Sequence, residues 1–130
     1  MSVQVKGISD IIDISLGAGH TVALSRDGTV WAWGYNVDGQ IGNGTPINSL
    51  IPAQVRDLSG VIAVAAGLEH SLALKSDGTV WAWGQNKFGQ LGDGTTTSSS
   101  KPHKVQDLCD VIALEAGEGH TVALKKDGSV

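Results

Sequence analysis

Apolar residues in this chain come in short bursts, continuous or alternating with small polar residues, and glycine separates the bursts. Ile11–Leu16 is a continuous run closed by Gly17, and the segments flanking Asp27-Gly28 alternate with period two. Short β-branched and aromatic runs bounded by glycine favour extended chain, and an Asp-Gly pair between two of them favours a tight hairpin. Antiparallel hairpins are predicted over residues 21–33 and 71–83, turning at Asp27-Gly28 and Asp77-Gly78, with all four tryptophans largely buried. No segment sustains a 3.6-residue apolar period between its Gly and Pro breaks, so helices are not expected.

Counting outward from two central turn residues places Leu24 opposite Trp31 and Val22 opposite Trp33. Ala23 then faces Ala32, and Ser25 faces Val30, on the other side of the same strands. The expected sheet has one bulky and one shallow apolar face, and Leu72, Leu74, Trp81 and Trp83 against Ala73 and Ala82 repeat it. Two apolar faces call for sheets stacked on sheets, the tryptophans of one lying on the alanines of the next.

The pattern is periodic. Gly17, His20, Asp27 and Gly28 return as Gly67, His70, Asp77 and Gly78, and again as Gly117, His120, Asp127 and Gly128, a period of 50 without a gap. Units fall in phase at residues 17–66, 67–116 and 117–130, with residues 1–16 completing a preceding unit, so residues 1–130 form one partial array. Residues 50–62 and 100–112 carry the connection to the next unit, with Val55 and Val105 as short-strand positions. The Thr/Ser run 95–100 reads as an exposed loop. Stacked repeats of this kind build a propeller or a solenoid.

Composition narrows the function. Nine Lys and Arg stand against thirteen Asp and Glu, for a net charge of -4, and no stretch concentrates the basic residues. A protein that grips phosphates needs such a patch, so nucleic acid is not an expected partner. No apolar run approaches the length of a membrane span, no membrane partner is expected, and nothing identifies a compartment. Cys109, the single cysteine, cannot form an intrachain disulfide and reads as a small buried apolar residue.

Candidate chemistry is sparse. His20, His70 and His120 are the first residues to test as metal ligands, but imidazoles must converge to within ~2.1 Å of one ion, and equivalent positions of successive repeats stand apart. Each is expected instead to support its own blade by hydrogen bonding to a neighbouring loop. Ser25, His20 and Asp27 supply the residue types of a nucleophilic triad, yet they fall within the structural repeat rather than in a unique constellation. Residues 36–39 partly match a calcium loop, with Gly at the first-ligand position and Thr45 where the bidentate Glu belongs. Gly39, Gly42 and Gly44 lack the Lys-Ser/Thr of a phosphate cradle and read as positive-φ positions of a loop. No catalytic residue, metal site or cofactor is assigned.

The positions that vary say more about partners. Within a fixed glycine frame, Tyr35, Val37 and Asp38 of one copy become Gln85, Lys87 and Phe88 of the next. Exposed aromatics at loop tips anchor protein partners, so Tyr35, Val37, Asp38, Lys87 and Phe88 are the candidate partner-binding residues. Packing of Tyr35 and Phe88 over the adjacent blade is the competing reading.

The motif G-x-x-H-[TS]-[VL]-A-L-x-x-D-G-T-V-W-A-W-G-x-N-x-x-G-Q-[IL]-G-[ND]-G occupies residues 17–44 and recurs over 67–94. It closely resembles the regulator of chromosome condensation repeat, and its Asp-Gly-Thr-Val-Trp-Ala-Trp-Gly block looks more like the bacterial members. The resemblance implies an all-β fold of antiparallel β-propeller blades, four strands to a blade and seven blades to a ring, with strands of one sequence repeat shared between neighbouring blades. Seven blades need roughly 350 residues, so about two and a half repeats make an incomplete ring. Its edges are expected to be unpaired, with Val122 and Leu124 lacking tryptophan partners. The expected function is a scaffold segment for protein-protein interaction, possibly self-assembling through its incomplete blades, either as a homo-oligomer or as a fragment of a longer propeller. A lectin-like propeller binding a small molecule or glycan is the second reading, and an enzyme the third.

Overall fold

A computed structural model describes residues 4–130. Among them are ten β-strands and no helix: β1 (Ile11–Leu16), β2 (His20–Ser25), β3 (Val30–Gly34), β4 (Ser49–Gln54), β5 (Val61–Ala66), β6 (His70–Lys75), β7 (Val80–Gly84), β8 (Ser99–Lys104), β9 (Val111–Ala116) and β10 (Thr121–Lys125). They form two four-stranded antiparallel meanders, β1-β2-β3-β4 and β5-β6-β7-β8, followed by the pair β9-β10. The sheets are cut in a different phase from the sequence units. Ile11–Leu16, which the repeat phase attaches to a preceding unit, pairs with β2 and opens the first blade. Val55 and Val105 lie just past β4 and β8, where their amides donate to Val30 O and Val80 O at 2.9 and 2.8 Å. Ser99 and Ser100 are not loop but the start of β8.

The hairpins form where expected, but one residue out of the expected register. His20 pairs with Gly34, Thr21 with Trp33, Val22 with Ala32, Ala23 with Trp31 and Leu24 with Val30, and the second blade repeats this. The cause is the turn. Gly28 N donates to Ser25 O at 3.0 Å and Ser25 N to Thr29 O at 2.9 Å, so the loop holds three residues, Arg26 to Gly28, with Gly28 at φ 84. This is a type I turn followed by a left-handed bulge residue, which glycine occupies without strain. A one-residue shift transfers side chains between faces. The tryptophans therefore share a face with Ala23 and Thr21, or Ala73 and Ser71, while Val22, Leu24, Val30 and Ala32 share the other.

Stacking follows these faces. β5 lies on β1 and β2, and β9 lies on β5 and β6. Val22, Leu24, Val30 and Ala32 of the first blade form one core with Val61, Val64, Ala73 and Trp83 of the second. Leu72, Leu74, Val80 and Ala82 form the next core with Val111, against which Leu114 and Ala123 pack. The tryptophan face of one blade thus lies on the Val/Leu face of the blade before it. Only Trp83 is fully buried. Trp31, Trp33 and Trp81 are half-buried. Trp81 stands nearer the hairpin turn, its Nε1 donating to Thr79 Oγ1 at 3.2 Å and Lys75 Nζ standing 5.0 Å from its ring. Trp31 and Trp33 belong to the first blade's outer face, where Ile14 and Leu16 are also exposed.

Candidate functional site

Each blade carries a long loop between its third and fourth strands, and one asparagine organises it. Asn36 is buried, its Oδ1 accepting from Ile41 N at 2.9 Å while its Nδ2 donates to Thr45 O and Ile47 O at 2.7 and 2.8 Å. Asn86 repeats the arrangement with Leu91 N, Thr95 O and Thr97 O at 3.0, 3.0 and 3.1 Å. Ile41 and Leu91 drive into the cores, so the asparagine ties the loop to a buried anchor. Gln40 and Gln90 then pin the tip, their Oε1 atoms accepting from Asp38 N at 3.0 Å and Phe88 N at 2.9 Å. The sequence reading passed over Asn36 and Asn86 as part of a glycine frame. The available signal was an asparagine that stays fixed while both its neighbours change.

The candidate partner residues ride on this frame. Tyr35, Val37, Lys87 and Phe88 are exposed, and Asp38 is half-buried. Asp38 Oδ2 accepts from Gln85 Nε2 at 3.3 Å, which places the two loops side by side on one rim. Gln85 Nε2 also donates to Glu69. Phe88 is 69% exposed although its ring rests on Gly119 of the third blade, where an added Cβ would fall 2.9 Å from Cδ2. Tyr35 rests on Gly19 of its own blade. Lys87 Nζ stands 5.8 Å from the Phe88 ring.

The histidines lie at the blade junctions. His20 Nε2 is 2.9 Å from Ser71 Oγ, and the Ser71 hydroxyl donates to Gln40 O at 2.8 Å. A hydroxyl has one proton, so that proton goes to the carbonyl and the imidazole donates from Nε2. His70, Thr121 and Gln90 O repeat the relay at 3.1 and 3.2 Å. The partner is therefore a strand hydroxyl of the next blade, not a loop of the histidine's own blade, because stacking brings β6 against the start of β2. Burial, then the neighbouring His70, pushes His20 down to about 4; burial, then His120, does the same to His70. His120 is exposed.

The other candidates are dispersed. Ser25 and Asp27 stand at the hairpin end of β2, five residues or about 16 Å along the strand from His20. Asp27 Oδ1 accepts from Thr29 N and Thr29 Oγ1 at 3.0 and 2.7 Å, which holds its carboxyl below the usual carboxylate range. The amides of Gly39, Gly42 and Gly44 donate to Asn36 O, Gly39 O and Ser100 O, leaving none free to cradle an anion. Among the described residues no three His, Cys, Asp or Glu side chains gather as metal ligands would. Cys109 is exposed rather than buried, standing in the turn before β9 with Sγ 3.8 Å from Asp110 Oδ2.

The sequence profile of the regulator of chromosome condensation (RCC1) repeat matches residues 27–74 and 77–124, and a second profile of the same repeat matches 11–40 and 61–90. Human WBSCR16 is similar with a TM-score of 0.84 and 27% identity, over 91% of this chain and 31% of that one. Prp20p from Saccharomyces cerevisiae, described with its binding properties to Gsp1p and histones, gives 0.81 and 25% identity over 94% of this chain and 32% of that one. Yeast RCC1 (Prp20) bound to Kap60 gives 0.80 and 30% identity, covering 95% and 30%. The chain spans about a third of the length of these structures.

Proposed function

The chain belongs to the RCC1 repeat family, and on that premise we propose that it is a protein-binding segment of a β-propeller scaffold rather than an enzyme. The observation that carries this reading is the rim. Two rigid frames, each tied down by a buried asparagine, hold neighbouring tips of different chemistry, Tyr35-Val37-Asp38 and Lys87-Phe88, in one exposed row. A rigid scaffold that varies only its tips suits recognition of protein surfaces, where a few exposed aromatics carry most of the affinity. The binding of Prp20p to Gsp1p and histones, and of yeast RCC1 to Kap60, supports the same use of the fold. A photo-crosslinking phenylalanine placed at 35 or 88 tests it, with one at Arg26 of the opposite hairpin end as control. Protein adducts are expected from the two tips alone. Equal labelling from Arg26 rejects the assignment of binding to the rim.

A second reading concerns copies of the same chain. Ile14 and Leu16 are exposed beside Trp31 and Trp33 on the outer face of the first blade, and Val122 and Leu124 are exposed on the outer face of β9-β10. Inside the molecule such faces lie on one another at the first junction. Head-to-tail stacking of copies covers both, which makes the isolated chain an oligomer.

A further inference from the structure

At the first blade junction Trp83 occupies a seat built from named parts. Its Nε1 donates to Gln40 O at 2.9 Å. It passes so close to Gly42 that a Cβ there would fall 2.7 Å from Nε1 and 3.0 Å from Val55 Cγ1. It pairs across the ladder with Ser71, next to Trp81 opposite Ala73. The period of 50 carries these parts to Gln90, Gly92, Val105, Thr121 and Ala123. Those same residues, with Leu108 as the counterpart of Leu58, line an open groove of about 350 Å³ beside β10. Gln40 O accepts two hydrogen bonds, from Ser71 Oγ and Trp83 Nε1. Gln90 O accepts one side-chain bond, from Thr121 Oγ1, and a carbonyl oxygen has capacity for two. β10 pairs with β9 alone, so one edge of it offers main-chain donors and acceptors next to the groove.

We propose that the groove and the β10 edge together form an acceptor for a tryptophan-bearing β-strand supplied in trans. The occupant is an extended segment of another polypeptide with the pattern Trp-small-Trp-Gly. It adds antiparallel to β10 with its second tryptophan opposite Thr121 and its first opposite Ala123. The second indole fills the groove and donates Nε1–H to Gln90 O, while the main chain continues the sheet. Strand addition of this kind takes affinity from the ladder and specificity from the pocket. A folded second copy is a poor donor. Its own strands of this pattern, β3 and β7, are each paired on both sides. The acceptor faces the second blade and is distinct from both the loop tips and the outer apolar faces.

The test titrates the 130-residue protein, at a concentration where light scattering reports one species, with a labelled peptide of residues 77–86. Anisotropy reads binding, and amide hydrogen exchange reads the site. Saturable one-to-one binding is expected, with Thr121–Lys125 amides slowed and the rest unchanged. The peptide carrying W83A should bind about tenfold or more weakly, and W81A should lose less, because the second tryptophan alone enters the groove. Ala123→Arg in the protein, which fills the groove from its floor, should abolish binding while the melting profile shows the blades intact. No binding up to about 1 mM peptide, equal losses for the two tryptophans, protection away from β10, or displacement of the peptide by a second copy of the chain overturns the proposal.

Discussion

Buried imidazoles make the stability of this molecule depend on pH in a window set by histidine alone. His20 and His70 are held neutral in the folded state, each moved from 6.5 to about 4. The unfolded chain takes up their protons below about 6.5 and the folded chain does not, so the contribution is complete above that pH and lost as the pH falls toward 4. Each histidine accounts for on the order of 3 kcal/mol at most. Urea midpoints should be level above neutrality and fall steeply between pH 6.5 and 4, and His70→Gln should flatten that slope. A slope unchanged in the variant assigns the loss elsewhere. Asp27, Asp77 and Asp127, lowered by the hydroxyl and amide of Thr29, Thr79 and Ser129, lose their contribution only below the ordinary carboxylate range, outside this window. Asn86→Ala removes one acceptor and several donors at once, leaving Leu91 N and the Thr95 and Thr97 carbonyls without it, and should cost about 2–4 kcal/mol in urea unfolding. The histidines could be read as hydrogen-bonded from sequence, but their partners could not. Ser71 lies 51 residues from His20, and only blade stacking brings them together.

Strands and hairpins were legible because alternation and glycine spacing are local, and the register was not because two turns share the Asp-Gly signal. A two-residue turn and a three-residue turn with a left-handed glycine both place Asp before Gly, and they differ by one residue in pairing. The discriminating feature is the residue after the glycine. Thr29, Thr79 and Ser129 each give an amide and a hydroxyl to the preceding Asp, which builds the longer loop three times over. Gly78 has φ 82, and a Cβ there would stand 3.1 Å from Asp110 N. Gly78→Ala is expected to destabilise by about 1–2 kcal/mol, and Gly78→Asn by less, since asparagine tolerates the left-handed region better. Equal midpoints for wild type and Gly78→Ala would show that the turn relaxes to another form.

Across the whole molecule, the all-β fold and the stacking of blades were readable from periodicity, while the choice of which faces meet depended on the register and was not. The exposed faces at the two ends make a concentration test direct. Light scattering over a dilution series should give a mass above one chain, and Ile14→Asp with Leu16→Asp should return it toward one, since a buried charge opposes stacking. A monomer at every concentration rejects the self-association reading and leaves the rim reading untouched. The histidine relay bears on how such arrays change length. Every junction joins a histidine of one blade to a hydroxyl of the next, His20 to Ser71 and His70 to Thr121, so each whole unit carries one half of a bond at either end. Thr21, Ser71 and Thr121 are interchangeable in that role. Splicing a complete 50-residue unit in or out re-forms both bonds and strands no buried imidazole, whereas Thr121→Val is felt one blade upstream, at His70. Duplication and deletion in whole units are thereby tolerated where a point change at the same seam is not.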